Sequence, residues 1–259
     1  MKTITLTNTS QEQVQRLLKK LLALPFSAFL LMAILPLLIF GLFYFDLIKP
    51  ATAEANADLE AAVGKVVTTS GVGTAFLVSP TKLMTARHVI EGLPVGSSVE
   101  VIFEQSDNQL SRTATIQWIA ASASGTGEGG SVPLDYFLSD VALLALADPI
   151  NEIAPLDLGT SADVANLDEV ILIGYPGGDY SISEGNINNT QFKELELFKL
   201  DATSNPGNSG GPCILKNDNT VIGILVGGPS SSLIDGENIA MKIDDALNLM
   251  AADNIDVFD

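Results

Sequence analysis

Apolar and polar positions alternate in short runs along most of the chain, and one long run breaks that rhythm. Residues 21–45 are 25 consecutive positions without a charge. At about 1.5 Å per residue, a helix of that length spans a hydrocarbon core of about 30 Å with some tilt. Pro25, Pro36 and Gly41 would interrupt a helix in water but are tolerated in a bilayer. Ahead of this run, residues 10–20 read as a short helix. Ser10 and Gln13 form a capping-box pattern, and Val14, Leu17, Leu18 and Leu21 recur at helical spacing. Arg16, Lys19 and Lys20 flank the front, so the positive-inside rule puts the N-terminus in the cytoplasm and the rest in the periplasm or outside the cell. The competing reading is a cleaved signal peptide and a secreted product, for which Ala51-Thr52-Ala53 offers a small-residue cleavage pattern. Signal h-regions run to about 7–15 residues, however, and the greater length here favours an uncleaved anchor. The expected division is a cytoplasmic segment (1–20), a transmembrane helix (21–45), a linker (46–63) and one globular domain (64–259). The stretch 51–62 is small and acidic, fit for a linker or a short helix.

Beyond residue 64 the period shortens to that of strands. Runs at 65–68 and 74–78 are separated by a Gly71-Val72-Gly73 turn, and further runs follow at 99–103, 113–120 and 141–146. The Gly/Ser-rich stretch 121–133 reads as a surface loop, and 151–168, with weak periodicity, as a connection between two halves. The second half has strand-like runs at 170–173, 181–188, 192–201, 213–215, 221–226 and 238–243. Residues 244–252 then read as a helix, with Asp244 as N-cap and Ala246, Leu247 and Met250 on one face. Short strands divided by Gly, Pro and Asn turns predict an all-β barrel or sandwich.

Charge narrows the partners. The net charge is −18. The first 50 residues hold five bases and only two acids, Glu12 and Asp46, so the remainder carries 29 acids and 8 bases, about −21. Such a domain repels nucleic acid and anionic headgroups. A single cysteine, Cys213, excludes an internal disulfide and reads as a buried, inert residue of an apolar run. With one histidine and one cysteine, no metal site is expected.

Chemistry concentrates in residues 204–212, where Ser209 stands between Asn208 and two glycines ahead of the apolar run at Cys213. A serine hydroxyl is a weak nucleophile and needs a base and an oxyanion hole. Gly207, two residues earlier, lets the backbone turn so that the N–H groups of Gly207 and Ser209 aim at one spot. Donors so aimed stabilise an oxyanion by about 3 kcal/mol each. Gly210 and Gly211 are expected to let a substrate carbonyl approach. A plain Gly/Asn/Pro turn is the bland alternative. The only histidine, His88, ends a strand-like segment at 83–90; a lone histidine is by default structural, yet it is the only imidazole base available. Asp140 opens an apolar run and could orient His88, or could merely solvate the start of a strand; Asp135 is the other nearby acid.

Thr85-Ala86-Arg87-His88, Asp140-Val141-Ala142-Leu143-Leu144 and Gly207-Asn208-Ser209-Gly210-Gly211-Pro212 resemble, in order, the three catalytic blocks of the trypsin/chymotrypsin superfamily. Asp201-Ala202 before Asn205-Pro206-Gly207-Asn208-Ser209, and Ile173-Gly174-Tyr175-Pro176-Gly177 followed by Ser183-Glu184-Gly185-Asn186-Ile187, are similar to the bacterial HtrA (DegP-like) branch. The resemblance implies two six-stranded antiparallel barrels with a C-terminal helix, and a serine endopeptidase with His88, Asp140 and Ser209 as triad. It also implies an oxyanion hole from Gly207 and Ser209, no cofactor, and protein or peptide substrates. Thr203 would sit in the specificity pocket, where 203–209 supplies no acid, so cleavage after Lys or Arg is not expected. Val226, Gly227 and Gly228 would pair with the substrate backbone by strand addition. The chain ends within ten residues of the predicted closing helix, so a PDZ domain of the HtrA kind is not expected. Asn208, a neutral amide, could not pair with a freed N-terminal ammonium, so activation by processing is not expected either. Candidates for setting the serine loop are then the Asn208 amide and the neighbouring loop 175–184. The rival readings are a catalytically silent peptide-binding module with the same fold, and an esterase.

Overall fold

The alternating runs become twelve strands, all paired antiparallel, in the computed structural model, which describes residues 51–122, 133–227 and 238–258. The first six are β1 (Val63–Thr68), β2 (Gly71–Ser79), β3 (Lys82–Thr85), β4 (Ser98–Phe103), β5 (Leu110–Ile119) and β6 (Ala142–Leu146). They close in the order β1-β2-β3-β6-β5-β4, with β1 pairing β4. The next six are β7 (Glu169–Gly174), β8 (Ser181–Asn189), β9 (Leu197–Leu200), β10 (Pro212–Leu215), β11 (Thr220–Gly227) and β12 (Asn238–Lys242). They repeat the same order, β7-β8-β9-β12-β11-β10, and β7 pairs β10 to close. Closure satisfies backbone groups that an open sheet would leave at its edges. β5 alternates exposed and buried along much of its length, as a strand with one wet face should. β2 is buried continuously from Gly73 to Ser79, because the second barrel covers the face that would otherwise meet water. One apolar core fills the first barrel and the junction between barrels. A smaller one, with Val170, Leu172, Phe198, Cys213 and Ile222, fills the second. Burial pushes the Cys213 thiol up to about 12, so it packs as a small hydrophobe.

The chain divides into Met1–Glu54 and Ala55–Asp259. Helix α1 (Ala51–Ala61) precedes β1, and its Leu59, with Ala62 after it, joins the core. Helix α2 (Ile243–Ala252) follows β12 and buries Ile243, Ala246 and Met250. Trp118 Nε1 of β5 donates to Asp253 Oδ2 just past α2 at 2.8 Å, tying the closing helix to the first barrel. Among the described residues no helix is long and apolar enough to cross a membrane; segment 21–45 lies outside them.

Three local expectations are corrected. The first turn falls at Thr69 and Ser70, and Gly71, Val72 and Gly73 belong to β2, in register with β1. Gly73 sits in a strand because Val89 packs onto it: a Cβ there would lie 2.4 Å from the valine Cγ1. The run 192–201 is a strand only over Leu197–Leu200; Lys193 and Glu194 take positive φ in a tight turn closed by the Phe192–Leu195 bridge. Asp244 does not cap α2. The helix starts one residue earlier, and the Asp244 carboxylate instead accepts hydrogen bonds from Thr160 Oγ1 (2.9 Å) and Ser161 N (2.8 Å), a tertiary demand that outcompetes local capping.

The barrels are joined by polar groups as well as apolar ones. Thr74 of β2 is wholly buried. Its N–H donates to Ser209 O (2.9 Å), its hydroxyl donates to Gly207 O (2.7 Å) and accepts from Tyr175 N (3.2 Å), and its carbonyl accepts from Thr85 Oγ1 (2.6 Å). Tyr175, fully buried, reaches back to donate its hydroxyl to Val63 O at 3.2 Å. We predict that Thr74→Val, nearly isosteric, destabilises by about 2–4 kcal/mol, since it strands a buried carbonyl and a buried N–H. Thr74→Ser, which keeps the hydroxyl, should cost about 1 kcal/mol. Denaturant midpoints decide, and equal losses would remove the hydroxyl from this role.

Candidate active site

Strand register brings the imidazole and the carboxylate together. β3 and β6 pair with Thr85 opposite Ala142. His88 follows the end of β3 in the 3₁₀ turn Arg87–Ile90, and Asp140 precedes β6 at the end of the 3₁₀ turn Leu134–Ser139. The two residues therefore meet at one end of the first barrel, despite 52 positions between them. Asp140 is fully buried, and its carboxylate is held twice: Oδ1 accepts from the His88 backbone N–H at 2.9 Å, and Oδ2 lies 2.6 Å from His88 Nδ1. Such a contact places the imidazole proton on Nδ1 and leaves Nε2 as an acceptor. It is Asp140, not Asp135, that meets His88. Arg87 stacks its guanidinium over the Tyr136 ring, 4.2 Å from the centroid, and donates to the Tyr136 carbonyl at 3.4 Å. This clamp fastens the histidine turn to the segment that delivers Asp140.

Ser209 arrives from the second barrel, in the turn before β10. His88, Ser209, Gly207 and Pro206 line one cleft of about 400 Å³. The backbone of the serine turn is pinned at almost every other residue. Asn208 N donates to Asn205 O, Gly210 N to Leu225 O and Gly211 N to Asn208 O. The N–H groups of Gly207 and Ser209 donate to nothing among the described residues. The carbonyl of Pro206 accepts from Gly177 N at 2.8 Å, which fixes the orientation of the Pro206–Gly207 peptide. Gly178 is held in turn by Lys65 Nζ of β1, at 3.2 Å from its carbonyl, and Lys65 also pairs with Glu104. Sequence reasoning pointed to loop 175–184 as one candidate for setting the turn, and Gly177 is the contact. The other candidate, the Asn208 amide, is corrected: its Oδ1 is buried without a partner among the described residues.

Gly207 lets the backbone turn as expected, whereas Gly210 and Gly211 act differently from expectation. Gly207 has φ +109°, and a Cβ on it would lie 2.2 Å from Tyr175 O. Gly210 and Gly211 are buried beneath the turn rather than open to a substrate. A Cβ on Gly210 would meet Thr74 O at 2.2 Å, and one on Gly211 would meet Ile173 O at 2.5 Å. Their smallness seats the serine turn on both barrels.

The remaining predicted residues are spread around this centre. Thr203 is exposed, and its carbonyl accepts from Ser183 Oγ at 2.7 Å. β10 pairing ends at Pro212 opposite Ile224, so Val226 and Gly227 extend β11 past its partner. Gly228 lies outside the described residues. Sequence reasoning missed Thr74, which it took as one more residue of an apolar run. The available signal was a hydroxyl heading that run directly after Gly71-Val72-Gly73.

Residues 73–224 match a family described as "Trypsin-like peptidase domain". Protease Do-like 1, chloroplastic, of Arabidopsis thaliana is 36% identical over 96 residues, covering 33% of this chain and 21% of that protein. Magnetosome formation protease MamE of Paramagnetospirillum magneticum is 40% identical over 93 residues, covering 33% of this chain and 12% of that protein. The chain thus aligns with only about a fifth and an eighth of the length of these relatives. Among solved structures, the HtrA-type protease AlgW with tripeptide superposes with a TM-score of 0.58 at 24% identity, covering 78% of this chain and 63% of that one. Rv3671c of M. tuberculosis H37Rv, in an inactive form, gives 0.56 at 21% identity, covering 76% and 89%. These likenesses are of fold.

Two glycines separate strain from contact. Gly207 and Gly227 both have positive φ (+109° and +119°), but among the described residues nothing lies within 4 Å of a Cβ on Gly227. Gly227→Ala should cost about 1–2 kcal/mol of stability from backbone strain alone. Gly207→Ala should cost about 1–3 kcal/mol more, because the new methyl overlaps a carbonyl. Chemical denaturation of the two variants reads the difference, and equal costs would mean that Tyr175 does not crowd the turn.

Proposed function

Since the chain belongs to the trypsin-like peptidase domain family, we propose that it is a serine endopeptidase held at a membrane by residues 21–45. The observation that carries this reading is the doubly held Asp140 carboxylate on His88, which shares one cleft with Ser209 and two backbone N–H groups that have no acceptor among the described residues. Ser209 Oγ attacks the scissile carbonyl while His88 Nε2 takes its proton. The tetrahedral oxyanion accepts from Gly207 N–H and Ser209 N–H. His88 then gives the proton to the departing amine, and the acyl-enzyme is hydrolysed by water activated in the same way. Asp140 keeps the imidazole in the Nδ1–H tautomer and stabilises the imidazolium. Val226 and Gly227 receive the acyl-side backbone of an extended peptide, with Thr203 near its side-chain pocket. Acids and bases of the side chains suffice for every step, and no cofactor enters.

An intact set of three groups favours catalysis over a silent peptide-binding role. A serine-directed phosphonate should label Ser209, and an unstructured protein such as casein should be cleaved. Ser209→Ala and His88→Ala should lower kcat by on the order of 10⁴–10⁶ with the fold retained. Asp140→Asn should cost on the order of 10⁴, and Asp135→Asn far less. Near-normal hydrolysis by Ser209→Ala would end the proposal.

The tether has its own test. In membranes from a bacterial host, the full chain should resist carbonate extraction, as a 25-residue uncharged segment requires. Recovery of a soluble species beginning near Glu54 would make the segment a signal peptide and leave the peptidase reading intact.

A further inference from the structure

Among the described residues, the cleft continues past Ser209 and His88. It runs over the first barrel to the β1–β2 turn, where Thr68, Ser70 and Val72 form its wall, and to Glu91 at the end of the histidine turn. Glu91 follows His88 by three residues, its backbone N–H donates to His88 O at 3.3 Å, and both residues line the same cleft. Glu91 is exposed and makes no ion pair among the described residues. Arg87, the nearest base in sequence, is buried and committed to Tyr136. Thr68 and Ser70 bond each other at 3.0 Å and bring no charge, and Val72 is 38% exposed. Among the described residues, Glu91 and His88 are thus the only ionisable groups lining the cleft.

Direction follows from the two barrels. If the acyl part of a peptide lies along the overhanging end of β11 in the second barrel, the part leaving as an amine must run the other way, over the first. That part meets Glu91. We propose that Glu91 selects substrates with Lys or Arg in the first two positions after the scissile bond, and disfavours Asp and Glu there. The proposal rests on the peptidase reading above. The chain's net charge of −18 works in the same direction, because it raises the local concentration of basic segments and repels acidic ones. A long basic side chain can also lay its apolar stem against Val72 while its charge stays in water.

The test uses the full chain in detergent and two internally quenched peptides, identical except for Lys or Glu in the second position after the cut. The quantity read is the ratio of kcat/KM for the Lys peptide to that for the Glu peptide. Wild type should favour Lys by about fivefold, as expected for one exposed charge contact. The ratio should shrink at high salt, where exposed charges are screened. Glu91→Gln should bring it close to one, and Glu91→Lys should invert it. Glu100→Gln removes the same charge from β4, away from the cleft, and should leave the ratio where it was. If Glu91→Gln and Glu91→Lys both keep the wild-type ratio, or if Glu100→Gln lowers it as much as Glu91→Gln, the assignment to Glu91 fails while the peptidase reading stands. No turnover of either peptide by wild type would overturn both.

Discussion

One buried hydroxyl holds the working parts in register. Thr74 Oγ1 sits where β2 of the first barrel meets the serine turn and the β7–β8 loop of the second, donating to Gly207 O and accepting from Tyr175 N. In a site without water, an unmade hydrogen bond costs about as much as the group's full desolvation, so alternative placements of the turn are penalised. The neighbouring bonds reinforce it. Thr74 N–H holds Ser209 O, and Thr85 Oγ1 holds Thr74 O at the end of the strand that leads to His88. The serine and the histidine are therefore referred to the same pair of adjacent strands, although they belong to different barrels.

The carboxylate is referred to those strands too, by a different device. Antiparallel pairing of β3 and β6 makes the residues just after one strand neighbours of those just before the other. Asp140 then needs only its own two oxygens to lock the arrangement, one on the His88 backbone and one on the ring. Burial of an ionised carboxylate is costly unless its hydrogen-bonding capacity is met, and here it is met by the residue it must orient. Stability and positioning are satisfied by the same bonds.

The serine turn depends on both barrels as well. The Pro206–Gly207 peptide is oriented by Gly177, which holds the Pro206 carbonyl, and the neighbouring Gly178 is held by Lys65 of β1. A loop of the second barrel that would be loose by itself is thereby braced from the first.

Local chemistry was legible in the residues. The period-two runs marked most strands, since alternation needs only one buried face; His88 could be singled out because the chain has one histidine, and Ser209 and Asp140 by the residues that flank them. Cys213 could be read as buried from its apolar neighbours. What the sequence left open was decided by contacts between residues far apart. Gly73 belongs to a strand and not a turn because Val89 must lie on it, and Asp244 leaves its cap for Thr160 and Ser161. Gly210 and Gly211 serve the packing of the turn and not the approach of a ligand, because both barrels crowd them. Thr74 reads in sequence as part of an apolar run, and only its hydroxyl marks it locally, because three of its partners, Gly207, Ser209 and Tyr175, lie a hundred or more residues away. Periodicity reports which face of a strand is dry; only the tertiary structure decides which polar groups meet inside the dry region, because that depends on how the two barrels are set against each other.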